Sequence, residues 1–299
     1  MKNPSILYLI LFFIGPVSLL AQKNPKSIKE KSNTKTSYVL TDLSYVNDAV
    51  FMGRRDSIAA PYILPSIGYY DKSGLFADAT LSYLVGSEEN RVDLFLTTAG
   101  YLFNTNNWSG GISGTAYFYN QSSYNVQSEI VGDITGLLSY DLKMFELTLS
   151  ASTYFSNNSS TDFFGGLLLN HAFYNSVQNF KVNPSISIYA GSQYFYQEYF
   201  STSRLGNRKG KGNGSVTTET SEVTTVEIAE ASKFKILNVA LSLPLQYQYG
   251  SFIYSATPVL AIPQTSATIT TSEGVLSEDL KSAFYFSVGI SYWFYTQNK

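Results

Sequence analysis

The chain contains no cysteine and a single histidine, His171. The first absence removes disulfides, thiolate nucleophiles and Cys-based metal sites together. The second excludes a His-rich metal centre. Charge is also scarce: Asp, Glu, Lys and Arg make up 14% of the residues, against roughly 25% in ordinary soluble domains. The formal net charge is −2, whereas a nucleic-acid surface demands a basic face. Beyond the N-terminal segment, no apolar run reaches the roughly 20 residues of a spanning helix. A membrane-resident mature chain would therefore have to cross as a closed barrel, the other fold that satisfies every backbone group in lipid.

Aromatic rings are abundant, with 24 Tyr and 20 Phe. So many rings and so few charges make a poor soluble surface. They suit a protein whose exterior faces lipid and whose rims carry amphipathic rings. The N-terminus reads MKNPSILYLILFFIGPVSLLAQ, with Lys2, an apolar run from Ile6 to Leu20, and Ala21-Gln22. This pattern predicts a signal peptide over residues 1–21. The competing reading is a membrane anchor, but Gly15 and Pro16 interrupt the run. Residues 22–37 are polar and lysine-rich and read as a periplasmic leader.

From residue 38 to 299 the recurring unit is an alternating run of about ten residues followed by a turn cluster. In FYFSVGISYWF, Phe284, Phe286, Val288, Ile290, Tyr292 and Phe294 share one face, and Ser287, Gly289 and Ser291 the other. In KMFELTLSASTYF, Phe145, Leu147 and Leu149 oppose Glu146, Thr148 and Ser150. In RVDLFLTTAGYLF, Val92, Leu94 and Leu96 oppose Asp93, Phe95 and Thr97, and in ILNVALSLPLQYQY, Leu237, Val239 and Leu241 oppose Asn238 and Ser242. Twelve strands are predicted, at 38–46, 59–71, 74–85, 91–103, 108–119, 126–140, 142–156, 162–174, 182–198, 233–248, 251–262 and 283–295. Pro244 should mark a bulge or a rim position.

Connection lengths are an independent signal. The even connections, such as Asp71-Lys72-Ser73-Gly74 and Asn104-Thr105-Asn106-Asn107, are short. The odd ones are mostly long, including 201–232 and 263–282. Outer-membrane barrels alternate short periplasmic turns with longer outer loops, so an even strand count puts both termini in the periplasm. The expected fold is all-β: one closed antiparallel up-and-down transmembrane barrel of about twelve strands. The 201–232 loop carries basic residues among glycines, then Glu219, Glu222, Glu227 and Glu230. It reads as a solvated loop or extended hairpin, the alternative being a ligand-binding loop.

With Leu19-Leu20-Ala21-Gln22, the segment PSIGYYDKSGLFADATLSYL at Pro65–Leu84 and the terminal SVGISYWF, the chain resembles the outer-membrane β-barrel proteins of Bacteroidetes-type bacteria. That likeness covers the whole mature chain at the level of pattern. It implies an outer-membrane location, outer-membrane lipid as surroundings, and contact with barrel-insertion machinery, which reads a terminal strand ending in an aromatic residue. Here Phe294 is followed by five further residues.

Candidate chemistry is sparse. Asn170-His171 invites comparison with membrane phospholipases that use Ser, His and Asn on a barrel's outer face, but these two neighbours point to opposite faces of a regular strand. In Met52-Gly53-Arg54-Arg55-Asp56, Arg54 and Arg55 could bind phosphate or lipopolysaccharide head groups, or pair with an acid to order the loop. Strand parity places Asp42, Asp78, Asp93, Glu129, Asp133 and Glu146 toward the lumen, which would favour cations in a conducting barrel. No catalytic residue, cofactor or metal ligand is expected. The favoured function is non-enzymatic: a narrow, porin-like channel for small solutes or cations, or a structural or binding barrel. A lipid-acting enzyme and a soluble periplasmic ligand binder are the alternatives.

Overall fold

The computed structural model describes residues 36–55, 59–86, 90–120, 123, 125–157, 160–199, 227–228, 230–271, 274–278 and 280–296. The expected signal peptide, nearly all of the polar leader and residues 200–226 of the longest loop lie outside the described residues.

The strands are β1 (Tyr38–Val46), β2 (Tyr62–Tyr70), β3 (Leu75–Val85), β4 (Asn90–Thr105), β5 (Trp108–Tyr119), β6 (Ile130–Asp141), β7 (Glu146–Ser156) and β8 (Thr161–Asn170). They continue as β9 (Phe173–Tyr174), β10 (Phe180–Val182), β11 (Ser185–Gly191), then helix α1 (Tyr194–Tyr199), β12 (Glu227–Ile228), β13 (Lys235–Ser242), β14 (Leu245–Tyr249) and β15 (Phe252–Pro263). The last are β16 (Thr268–Thr271), β17 (Gly274–Ser277) and β18 (Ala283–Tyr295). Neighbours pair in sequence from β1 to β8; the ring then runs through β11, β13, β15 and β18 back to β1. The result is a closed antiparallel barrel of twelve staves. Closure leaves no unpaired edge. Three staves are each broken once, at His171-Ala172, Asn183-Pro184 and Leu243-Pro244, so β9, β10 and β14 extend β8, β11 and β13. The long-loop end also carries a small sheet of β12, β16 and β17.

Turn chemistry fixes one end. Each of the five connections at this end holds a residue in the left-handed region: Gly74, Asn106, Lys143, Gln178 and Gly250. At Gly74 (φ +103°) a Cβ would lie 2.1 Å from the Leu102 carbonyl oxygen, so this tight turn requires glycine. The third connection, residues 86–89, is also short, which breaks the strict long–short alternation.

Alternation sets the two faces. Phe284, Phe286, Val288, Ile290, Tyr292 and Phe294 are all exposed, and Ser287 and Ser291 are buried. Leu43, Ile67, Leu75, Ile112, Phe118, Ile134 and Phe163 continue this exposed apolar exterior around the wall. Rings crowd its short-turn margin, where Trp108 lies 4.6 Å from Tyr140 and Phe252 4.8 Å from Tyr292 between ring centroids. Such an exterior matches hydrocarbon bounded by aromatic girdles, not water.

The expected alternation is broken at bulges and at one early strand end, each for a visible reason. A bulge between Ser82 and Tyr83 of β3 sets Val92 opposite Tyr83 and Leu94 opposite Ser82, leaving Asp93 as the extra residue. Leu94 and Leu96 therefore turn inward (2% and 3% exposed) and Phe95 turns out. A second bulge between Tyr189 and Ala190 brings Leu237 inside, fully buried. The predicted strand 182–198 ends at Gly191, because Asp162 of β8 accepts hydrogen bonds from Ser192 Oγ (2.5 Å) and from the Tyr194 and Phe195 amides (2.9 and 2.6 Å). Those bonds cap α1 in place of strand pairing.

Candidate functional site: the barrel interior and its plug

The connection after β1 folds back into the long-loop mouth. Phe51 and Arg54 exchange two backbone hydrogen bonds of 2.8 Å around Met52 (φ +50°) and Gly53 (φ +78°). Two consecutive left-handed residues make the tight hairpin turn that right-twisted strands prefer. The tip touches the far wall: a Cβ on Gly53 would lie 2.9 Å from Asn238 Oδ1 and 3.0 Å from Pro263 Cβ. Phe51 packs edge-on to Phe195 of α1 and Phe164 of β8, at 4.8 and 5.7 Å, and tilts against Tyr154 at 6.2 Å. With Met52, Val126, Ile130, Tyr196, Tyr199 and Leu237 these rings form one buried apolar cluster.

Arg54 pins the plug. Its side chain is 1% exposed. Nε donates to Glu278 Oε1 (3.1 Å), and Nη2 donates to Gln193 Oε1 (2.8 Å), the Thr265 carbonyl (2.7 Å) and Glu278 Oε2 (3.1 Å). The guanidinium lies 4.6 Å from the Tyr196 ring centroid. Glu278 also accepts from Tyr196 OH (3.0 Å) and the Ala267 amide (2.9 Å). One arginine thus ties the first loop to α1 and to the last loop. Arg55 meets Asp48 at 2.7 Å, and Asp48 also accepts from the Ala49 and Ala60 amides, both at 3.0 Å. Arg55 is thus paired within its own loop, whereas Arg54 reaches across to two other segments. The partners Glu278, Gln193 and Asp162 were invisible to sequence reading; Arg54 and Glu278 stand 224 positions apart, and no local spacing links them.

The six acids that strand parity assigns to the lumen do not form one cluster. Asp93 (1% exposed) pairs with Arg91 at 3.0 Å and accepts from Ser123 Oγ (2.7 Å) and Tyr62 OH. Glu129 lies in the turn before β6, and Glu146 opens β7 opposite Asn170. The remaining three sit in the middle of the wall. Asp78, Thr98, Thr115 and Asp133 follow one another across β3, β4, β5 and β6 on a single ladder row. Asp133 accepts from Tyr117 OH (2.9 Å) and Thr135 Oγ1 (2.6 Å). Asp42 accepts from Ser291 Oγ (2.5 Å) and from Ser44. Inward hydroxyls beside them are nearly sealed, Thr80 and Ser82 being 1% exposed each. Below this polar belt, Leu40, Tyr70, Phe76, Ile253 and Trp293 form an apolar cluster at the short-turn end. The interior thus has a polar middle with an apolar cluster toward each end.

Outside the wall, Glu230 takes hydrogen bonds from Lys233 and Lys235, which hold its carboxyl down to about 2. Asn170 is buried inward, while His171 stacks edge-on to the exposed Phe173 at 4.3 Å. The two side chains do not converge. Among the described residues no group of His, Cys, Asp and Glu could hold a metal ion.

No family model matches the chain, and no curated protein matches it. Among solved structures it is similar to the KdgM porin, with TM-score 0.46, 8% identity, 85% of this chain and 98% of that chain covered. It is similar to the NanC porin at TM-score 0.45 and 11% identity, covering 85% and 98%. An outer membrane channel from Pseudomonas putida F1 aligns at TM-score 0.44 and 8% identity, covering 92% and 99%. Likenesses this distant assign no activity.

Proposed function

We propose that the chain is an integral outer-membrane β-barrel of porin-like build, non-enzymatic, with a narrow passage that is shut at rest by its own first loop. The exposed apolar exterior carries the membrane placement: residues such as Ile67 and Phe284, more than half exposed, would be unfavourable in water at this density. Outer-membrane lipid is the surrounding partner, and the terminal strand is presented to insertion machinery. Asp42, Asp78 and Asp133 in the middle of the wall favour small cations over anions once the mouth is open. The plug and the few-per-cent exposure of the inward hydroxyls support a closed resting state. Arg54 and Arg55 serve the plug and not a head-group site.

Planar-bilayer recording tests this. The wild-type protein should be nearly silent, and Arg54→Gln should show cation-selective steps. Adding Asp42→Asn, Asp78→Asn and Asp133→Asn to Arg54→Gln should erase the cation preference. Steady conductance from the wild type would remove the plug, and silence from Arg54→Gln would leave a purely structural barrel.

A further inference from the structure

Three adjacent interfaces of the barrel wall are weakened at one level. The His171 amide donates to the Pro184 carbonyl (3.2 Å), the Asn183 amide to Pro244 (2.9 Å), and the Leu243 amide to Pro258 (3.1 Å). In a regular antiparallel ladder each such pair exchanges two bonds. Pro184, Pro244 and Pro258 have no N–H with which to return theirs. The carbonyls of His171, Asn183 and Leu243 thus lack a ladder donor across three consecutive interfaces. The register is unchanged through the breaks, since Asn170 faces Ser185 and Phe173 faces Val182. Pro65 of β2 interrupts the opposite part of the wall alone.

The level matters. Pro244 stands six residues from the Gly250 turn, roughly 15 Å above it for a strand tilted by about 40°. That is hydrocarbon depth, where unpaired backbone groups are costly. A run of such defects in interior staves is a conflict between sequence and fold of the kind found where function demands it.

Polar atoms wait directly behind the seam. Asn170 Nδ2 donates to Asn183 Oδ1 at 3.2 Å. Asn170 Oδ1, Asn183 Nδ2 and Thr257 Oγ1 have no hydrogen-bond partner, and these residues are only 5%, 1% and 6% exposed. Buried groups of this kind normally find a partner. The apolar cluster around Phe51 packs in the long-loop mouth, and the one around Tyr70 and Trp293 packs on β15, β18 and β1–β3 at the short-turn end. The bilayer side offers an approach to these atoms through the seam.

We propose that the wall from β8 to β15 is a lateral binding portal for a long-chain carboxylic acid. Its tail stays in the bilayer beside Leu243 and Phe286, and its carboxyl group enters between the staves to meet the Asn170–Asn183 pair and Thr257. A carboxyl offers a donor and an acceptor in a head small enough to pass one strand interface; a phospholipid head group is too large. The proposal rests on membrane embedding but not on conduction.

The test uses the full-length protein in phosphatidylcholine vesicles with palmitic acid bearing a photoreactive diazirine near its carboxyl end. Peptide mapping after illumination should place adducts on 168–187 and 242–259. Asn183→Leu should reduce those adducts at least tenfold. Pro244→Val restores an N–H and does not threaten the fold; it should reduce them similarly by closing the wall. Asn175→Ala, in a surface turn, should leave them unchanged. Heat-modifiable gel migration confirms folding of each variant. Adducts spread evenly around the exterior, or unchanged in folded Asn183→Leu and Pro244→Val, would overturn the portal. Failure of the vesicles to retain the protein would instead overturn the membrane placement.

Discussion

Among single residues, Arg54 carries the most consequence. It is buried, its neutralising partner Glu278 is only 12% exposed, and its fork reaches three chain segments at once. Removing one partner of such a pair leaves an uncompensated charge, at a cost of about 3–5 kcal/mol. Arg54→Ala should therefore lower the urea midpoint of the refolded barrel and render the first loop sensitive to protease. Arg54→Lys should recover little, because an ammonium cannot hold Glu278 and Gln193 in the same planar geometry. Equal stability of the lysine variant would reduce Arg54 to a point charge. This role could not be read from Met52-Gly53-Arg54-Arg55-Asp56 alone. The sequence raised the choice between anion binding and loop ordering; the contacts that Arg54 makes across the barrel mouth join residues far apart in the chain.

At the level of elements, β18 is the clearest case of sequence dictating placement. Val288 is exposed on the outer face, opposite Tyr45 of β1 and Ala256 of β15. Val288→Arg should cost about 2–4 kcal/mol near the bilayer midplane, seen as loss of the fast-migrating folded form on unheated gels. The approach to β13 responds to acid instead. The Glu230 carboxyl is depressed to about 2 by Lys233 and Lys235, against about 4.3 when unfolded. Its stabilising tie is complete above the unfolded value and is lost as pH falls through about 2. Carboxyl titration followed by NMR should show Glu230 charged at pH 3.5, and an ordinary midpoint would discount the two lysines. Period-two alternation gave eleven of the twelve strands close to their observed spans. It failed where one extra residue enters a strand, as at Asp93 and Leu237, because a bulge reverses parity without altering composition. It also failed at Tyr194–Tyr199, where aromatic residues that favour strands are turned into a helix by the distant Asp162.

For the whole molecule, the twelve-stave count was legible because many weak signals agreed. Scarce charge and abundant rings both follow from the same solvent, hydrocarbon, acting on every strand. What lies inside was not legible. The plug, the Asn170–Asn183 pair and the level of the three prolines all depend on which staves become neighbours, and a single chain read linearly does not state that.

The pairing of β1 with β18 has one last consequence. Tyr38 faces Tyr295, and the Thr296 amide donates to the Ser37 carbonyl at 3.0 Å, so the outermost described residues meet on the short-turn side. A ring has no preferred starting point. Joining residues 37 and 296 through a short flexible linker and opening the chain at the Gly250 turn should give a permuted protein with the same heat-modifiable migration. The native order has a cost that the permuted order would shift. Until the final stave emerges, β1 waits with an unsatisfied edge. Refolded chains truncated before Ala283 should therefore lack heat-modifiable migration, whereas permuted chains shortened by the same length at their C-terminus should retain the β18–β1–β2 pairing.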